Sequence, residues 1–270
     1  MYFKCIMSNL PIGKRRLSRV LRQAGDLVGV EDVVSTLQIE RQEANQLLSR
    51  WTKQGSLKRV SRGLYAPSPL QSVESEHVLT DPWVVVPNLF SPCYVGGRTA
   101  AEHWDFTEQI FKDIVVFTTE PVRSKHQLIH GTTFTLKKIS ERQFFGTAVV
   151  WRSRTKVLIS DEHKTILDMV EYPAIGGGIQ HVSDCLQAYF TNDQIDSRKL
   201  FEYALKRGNG AVFKRLGFLV DRFALDPMFA EACRARLSAG LAKLDPGIES
   251  PRVSTAWRLR IPDSWAKQYD

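Results

Sequence analysis

The amino-acid sequence predicts an α+β protein, because three patterns follow one another along its 270 residues. Apolar residues first recur at helical spacing in three short runs, which a two-strand hairpin follows. Short β-rich runs then dominate residues 113–160, and helical spacing returns from residue 161 onwards. Strands grouped ahead of helices, without regular alternation, are typical of α+β proteins. We therefore predict a small helical module with a hairpin, followed by a larger mixed α+β domain whose carboxyl-terminal part is helical.

The amino-terminal 66 residues show the spacing of three short helices. Apolar residues fall at i, i+3, i+4 and i+7 from Leu17 to Ala24, and the same spacing recurs from Val30 to Leu37. A tight turn at Gln38 leads to a third helix over about Glu40 to Gln54, and Gly55 stands where a helix of this length ends. Three helices with a tight turn between the second and third indicate a helix-turn-helix.

Nearly all of the excess positive charge of the chain lies in this module. Residues 1–66 contain 12 basic and 5 acidic residues, a net charge of +7, whereas the whole chain carries +8. Only +1 is left for residues 67–270. Such a concentration of charge is typical of a surface that contacts phosphates, and we expect the module to bind DNA.

The third helix is predicted to bury one face and to expose a face rich in amides. Ala44, Leu47, Leu48 and Trp51 share the apolar face. Asn and Gln pair bidentately with adenine in the major groove, and Arg pairs with guanine. The alternative is an ordinary solvated helix face, but such faces are usually rich in Glu and Lys. The candidate DNA-binding residues of this helix are Arg41, Gln42, Asn45, Gln46, Ser49, Arg50 and Lys53.

The hairpin after the third helix resembles a wing. Leu57 and Val60 precede a turn at residues 61–63, and Leu64 and Tyr65 follow it, which predicts two short strands. Basic wings lie along the DNA backbone or enter the minor groove, where Arg is favoured electrostatically. The alternative is a plain hairpin with solubilising charges. The candidate DNA-binding residues here are Lys58, Arg59, Ser61 and Arg62.

The sequence places a domain boundary directly after the wing. Two prolines, Pro67 and Pro69, stiffen the exit, and the chain is polar as far as Glu76. We predict a winged helix-turn-helix domain over residues 1–66, a linker over 67–76 and a second domain over 77–270. In the second domain we expect short helices over 81–89 and 98–104, strands over 113–118, 132–138, 147–151 and 156–160, and helices from 161 onwards, over 179–190, 197–206, 211–223 and 227–237.

Composition excludes several classes of protein. No stretch approaches the roughly 20 apolar residues that a membrane-spanning helix needs. The first ten residues are too short and too polar for a secretory signal. The four cysteines are far apart and form no CxxC pair, which argues against a disulfide framework and a thiolate zinc site. We expect a cytoplasmic protein without a cofactor.

Acidic and histidine clusters are poor candidates for metal or catalytic sites. Two clusters, within residues 102–108 and 161–163, combine carboxylates with an imidazole, but Asp161 also stands where a helix N-cap belongs. His126 and His130 have i, i+4 spacing, but no third ligand is evident and their stretch is predicted to be a loop. We expect no metal site and no catalytic residue.

Two further features allow a functional and a plain interpretation. The glycines at 176–178 have the flexibility to cradle a phosphate at a helix N-terminus. They follow a helix and lack the Lys-Ser/Thr of a P-loop, which favours an inter-helix turn. Lys206, Arg207, Lys214 and Arg215 form a second basic group. A solvated face is the main interpretation there, and a supplementary contact with nucleic acid or a toxin is the alternative.

Several ordered motifs together resemble the AbiEi family, the antitoxin and transcriptional-regulator components of type IV toxin–antitoxin systems. The resemblance extends from about Lys14 to about Asp221. Its motifs are RVSRGLYAP, DPWVVVPNLF, YVGGRTAAEHWDFTEQ, ISDEHKTILDMVEYPAIGGGI and KRLGFLVD.

The resemblance implies a winged helix that binds inverted repeats in the promoter of its own operon, with double-stranded DNA as partner. It also implies a larger domain that counteracts a nucleotidyltransferase-like AbiEii toxin without forming a stable complex with it. No catalytic residue transfers from the family. The alternative hypothesis is a DNA-targeted nuclease or nucleotidyltransferase, which calls for a carboxylate–carboxylate–lysine set around the 113–118 strand, where only Asp113 lies.

Overall fold

The structure, a computed structural model, describes residues 12–68 and 81–266. The chain divides into two compact units. The first contains residues 1–89 together with 128–132 and 151–157, and the second contains the remainder. Most of the predicted linker, residues 69–76, lies outside the described residues.

Three helices and a three-stranded sheet make up the described amino-terminal segment. The helices are α1 (Ile12–Ala24), α2 (Val30–Leu37) and α3 (Arg41–Lys53). The strands are β1 (Val28–Gly29), β2 (Leu57–Ser61) and β3 (Leu64–Pro67), in the sheet order β1-β3-β2. Leu17, Val20, Val33, Leu48 and Trp51 are buried together between the helices and the sheet. The three predicted helices and the hairpin are confirmed, and β1 is an addition to the prediction.

Two segments distant in sequence belong to the first unit and contact this core. The Asp26 carboxylate accepts hydrogen bonds from the backbone amide of Arg154 at 2.9 Å and from the Thr155 hydroxyl at 3.0 Å. His130 Nε2 lies 2.9 Å from the Arg59 carbonyl oxygen. Residues 128–132 and 151–157 are therefore part of the folded first unit, which the sequence does not indicate.

A six-stranded mixed sheet follows, after the 3-10 turn Pro82–Val85 and α4 (Val86–Phe90). Its strands are β4 (Cys93–Val95), β5 (Asp113–Thr118), β6 (His126–Ile129), β7 (Thr132–Lys138), β8 (Thr147–Arg152) and β9 (Thr155–Ser160). Helix α5 (Gly97–His103) lies between β4 and β5, and a 3-10 turn, Glu141–Gln143, precedes β8. The strand order is β6-β7-β5-β4-β9-β8. β5 pairs antiparallel with β4 and parallel with β7, and β4 pairs parallel with β9.

The carboxyl-terminal part is mainly helical and has its own buried core. It contains α6 (Glu162–Glu171), α7 (Ile179–Thr191), α8 (Ser197–Arg207), α9 (Gly210–Arg222) and α10 (Pro227–Arg234). A three-stranded sheet completes it: β10 (Ala242–Lys243), β11 (Arg252–Ser254) and β12 (Leu259–Ile261), before a last 3-10 turn, Asp263–Trp265. Trp257 is fully buried against Gly217, where any side chain would collide with the indole ring.

The α+β class is confirmed, and the structure corrects three details. The stretch with His126 was predicted to be a loop but forms strand β6. The last predicted helix, 227–237, ends at Arg234. The small sheet was not predicted, because strands of two or three residues are too short to show alternation. Among the described residues, no helix has the length and apolar character needed to cross a membrane.

Candidate nucleic-acid interface

Helix α3 is anchored by one face and presents the other to solvent. Ala44, Leu47, Leu48 and Trp51 are buried, as the sequence predicts. The helix ends in two backbone hydrogen bonds that close it sharply, from Gly55 N to Thr52 O at 3.0 Å and from Ser56 N to Trp51 O at 2.9 Å. Gly55 has a φ of +70°, the left-handed conformation that this ending requires. The burial of α3 therefore fixes which side chains point outwards.

The seven candidate residues of α3 all lie on that outward face. They are exposed, and together with Gln54 they line one shallow surface depression: Arg41, Gln42, Asn45, Gln46, Ser49, Arg50 and Lys53. Gln54, the residue that caps the carboxyl end of α3, is an addition to the predicted set. Amide, hydroxyl and guanidinium groups on a single helix face provide both the donors and the acceptors that base edges in the major groove require.

Two ion pairs flank the face. Arg41 NH1 lies 2.7 Å from Glu31 Oε1, and both side chains are more than 70% exposed. Arg16 NH1 lies 3.0 Å from Glu43 Oε1. Exposed ion pairs of this kind contribute at most about 1 kcal/mol to stability. Arg41 can therefore leave Glu31 and bind a phosphate or a guanine edge at little cost in free energy. Arg41 is thus oriented by α2 and remains available to a ligand.

The hairpin of β2 and β3 turns through Arg62 and Gly63, since Ser61 pairs with Leu64. Gly63 has a φ of +79°, a left-handed conformation that glycine adopts without steric cost. Arg59 and Arg62 are exposed, and Lys58 and Ser61 are partly buried. The Arg59 Nε donates to the Ser61 carbonyl oxygen at 3.2 Å, which holds its side chain along the outer edge of the strand. The two arginines therefore lie at or next to the exposed tip.

Replacing both wing arginines by alanine is expected to weaken binding to every duplex alike. Arg59 and Arg62 contact phosphates or a narrow minor groove in this account, so they supply affinity without base choice. A salt titration of the Arg59→Ala/Arg62→Ala variant should show the slope of log K against log salt reduced by roughly one to two. An unchanged slope would contradict the assignment of this hairpin as a wing.

The acidic cluster at residues 161–163 has structural partners. Asp161 Oδ1 accepts from the Lys164 amide at 2.8 Å, as an N-cap does, and Oδ2 accepts from the Tyr203 hydroxyl at 2.8 Å. His163 Nδ1 lies 2.7 Å from the Tyr189 hydroxyl. In residues 12–68 and 81–266, no group of three His, Cys, Asp or Glu side chains converges on a common point.

The glycine run forms an inter-helix turn, as favoured by the sequence. Gly177 and Gly178 have φ values of +90° and +93°, and a Cβ at Gly176 would lie 2.5 Å from Val182 Cγ2. The amide of Ile179 at the start of α7 already donates to the buried Asp245 carboxylate at 3.0 Å. A carboxylate of the same chain therefore takes the place of the phosphate that the alternative interpretation needs.

The basic group on α8 and α9 is not a solvated face, because three of its four members have internal partners. The Arg207 Nε donates to Glu171 Oε2 at 2.6 Å. Lys214 is buried and donates to the Gly240 carbonyl oxygen at 2.9 Å. Arg215 is buried and donates to the carbonyl oxygens of Val170 and Glu171. Only Lys206 is exposed, with its Nζ 4.3 Å from the centre of the Phe145 ring.

Comparison with known proteins supports the assignment of the amino-terminal module. No curated protein matches the chain significantly. The crystal structure of the RV2827C protein from Mycobacterium tuberculosis has the same fold, with a TM-score of 0.64 at 14% identity over 93% of this chain and 92% of that one. Residues 15–68 match a family model described as "Transcriptional regulator, AbiEi antitoxin". The resemblance to AbiEi antitoxin transcriptional regulators in this comparison covers the amino-terminal module.

Proposed function

We propose that the chain is a sequence-specific DNA-binding repressor that acts through a winged helix-turn-helix. The observation that carries the proposal is the amide- and arginine-rich face of α3, exposed beside a basic hairpin within the segment that matches the regulator family. α3 enters the major groove and reads base edges, while the wing contacts the backbone. The proposed target is an inverted repeat in the promoter of the operon that encodes the chain. A protein that binds this promoter would act in the cytoplasm.

Each candidate residue has one of two roles in this proposal. Base readout falls to amides near the middle of α3 and to an arginine near its start: Asn45, Gln46, Gln42 and Arg41. Backbone contacts, which position the module without reading sequence, fall to the remaining α3 residues and to the wing: Ser49, Arg50, Lys53, Lys58, Arg59, Ser61 and Arg62.

The enzyme alternative finds little support in the larger unit. Asp113, at the start of β5, accepts from Arg98 NH2 and from the Thr135 hydroxyl, each at 2.5 Å. Burial raises the pKa of Asp113, but the hydrogen bonds from Arg98 and Thr135 outweigh burial and lower the pKa below its usual value. Burial also raises the pKa of Cys93, Cys185 and Cys233 to about 12, so none of these thiols is ionised near neutral pH.

The full chain should bind the region upstream of its own gene more tightly than a shuffled duplex of equal length and composition. Fluorescence anisotropy at fixed salt measures both affinities, and the same samples run on a gel with and without magnesium report cleavage. The proposal expects a clear preference for the upstream duplex and intact DNA under both conditions. Equal affinity for the two duplexes would contradict specific regulation, and magnesium-dependent cleavage would favour the enzyme.

The larger unit is proposed to counteract an AbiEii-like toxin without stable binding. This part of the proposal rests on the family relationship and is separable from repression. The toxin is expressed from an unrelated promoter, so that repression of its own operon cannot protect the cells. The full chain should restore growth, and an α3 variant that no longer binds DNA should restore it equally. Failure of both proteins to protect would remove the antitoxin role and leave the regulator.

A further inference from the structure

The small sheet of the second unit has a buried side and a cationic side. Leu244, Leu259 and Ile261 point into the core and are at most 4% exposed. Because side chains alternate along a strand, the residues directly next to these three in sequence face outwards. Lys243 on β10 is the register partner of Arg260 on β12, and both are exposed. Two cations therefore lie side by side on the outer face.

This pair is unusual because nothing in the described residues neutralises it. Neighbouring strands are about 4.8 Å apart, and like charges in adjacent positions destabilise a sheet. Among residues 12–68 and 81–266, no carboxylate lies within salt-bridge distance of either side chain. Other exposed arginines nearby do have such a partner, for example Arg252, whose Nε lies 2.9 Å from Asp263 Oδ1. The outer face thus retains its charge at a cost in stability.

Charged residues are unevenly distributed within residues 67–270, although the net charge of this segment is close to zero. Residues 67–205 carry 13 basic and 17 acidic side chains, a net charge of −4. Residues 206–270 carry 12 basic and 7 acidic side chains, a net charge of +5. Basic excess therefore occurs at both ends of the chain, and its second concentration includes the small sheet.

We propose that the outer face of the small sheet, formed by Lys243 and Arg260 with the exposed Arg258 beside them, binds the phosphate backbone of duplex DNA. The inference rests on the proposed function, because it concerns a second contact with DNA that the amino-terminal module of the same chain binds. An acidic protein is the alternative partner, because Val253, the register neighbour of Arg260 on β11, is exposed and protein interfaces use such apolar anchors. Duplex DNA is favoured because the basic amino-terminal module of the same chain already carries the charge that contacts phosphates.

The test compares two double variants of the full chain that lose the same formal charge. Lys243→Ala/Arg260→Ala removes the unneutralised pair. Arg198→Ala/Arg252→Ala, the control, removes two exposed arginines that already bind Asp196 and Asp263. Affinity for a mixed-sequence duplex of about 30 base pairs is measured from about 50 to 200 mM salt, with thermal melts to verify folding.

Loss of two phosphate contacts should lower the salt slope by about 1.8 and weaken binding about 10- to 100-fold at 50 mM salt. The control should change the slope much less, and Lys243→Arg/Arg260→Lys, which keeps both charges, should bind like the parent chain. An unchanged slope in the alanine pair, in a chain whose α3 variants lose binding, would overturn the second contact and leave the proposed function intact. Absence of DNA binding by the parent chain would overturn both.

Discussion

Replacing Asp168 by alanine is expected to destabilise the second unit by about 3–5 kcal/mol, the usual cost of leaving a buried charge without its partner. Asp168 and Lys164 lie one turn apart on α6 and form an ion pair, at 2% and 0% exposure. The Tyr94 hydroxyl from β4 donates to Asp168 Oδ2 at 2.9 Å and accepts from Lys164 Nζ at 3.0 Å. Without the carboxylate, the Lys164 ammonium would remain enclosed by aromatic rings.

Urea unfolding of Asp168→Ala should show a lower midpoint at an unchanged slope. The control is Lys164→Met/Asp168→Leu, which removes both charges and keeps similar volume. Replacing a buried pair with apolar side chains is often neutral or stabilising, so this variant should recover most of the lost stability. A loss below about 1 kcal/mol in Asp168→Ala would show that the buried ammonium is not held by this carboxylate.

The same cluster has a pH dependence of defined sign. Burial raises the pKa of Asp168 above its usual value, although Lys164 and the hydrogen bonds from Lys164 and Tyr94 oppose the rise. Because the folded pKa exceeds the unfolded one, the contribution of Asp168 to stability is greatest below the usual carboxyl range. It falls as the pH rises through the folded pKa. The Lys164→Met/Asp168→Leu variant should lack this fall in stability.

The second large effect is expected on α3, where Asn45→Ala or Gln46→Ala should cost about 1–3 kcal/mol on the specific duplex and much less on random DNA. Both side chains lie in the middle of the exposed face, while the residues that fold the helix lie opposite. The loss therefore reports contacts with bases. Gln23→Ala removes an exposed amide from α1, outside the candidate face, and should change neither affinity. Equal loss on both duplexes would assign Asn45 and Gln46 to positioning.

Much of the amino-terminal module was predictable because its signals are local. Periodicity placed the third helix at about Glu40–Gln54, against Arg41–Lys53 in the structure, and Gly55 marked its end. β1 escaped prediction because two residues show no alternation, yet it pairs Val28 with Tyr65 and completes the sheet. The contact of Asp26 with residues 154 and 155 depends on segments far apart in sequence, which a local pattern cannot indicate.

The candidate sites also differed in how far local sequence patterns could predict them. The outward face of α3 followed from the apolar stripe alone, since burial of one side dictates the other. Basic residues on α8 and α9 looked like a surface group, because sequence does not show that Arg215 and Lys214 reach backbone carbonyl oxygens inside the fold. The unneutralised pair Lys243 and Arg260 became visible only through strand register, since the two residues are 17 positions apart in the sequence.

Selection of binding sites from a pool of random duplexes by the full chain shows whether the protein reads DNA sequence, and it needs no knowledge of the operator. We expect a defined motif to be enriched, arranged as an inverted repeat. We also expect the Asn45→Ala/Gln46→Ala variant, at the same salt, to enrich a relaxed motif or none. If the parent chain enriched no motif, or if the variant enriched the same motif equally well, the assignment of α3 as the recognition helix would be contradicted.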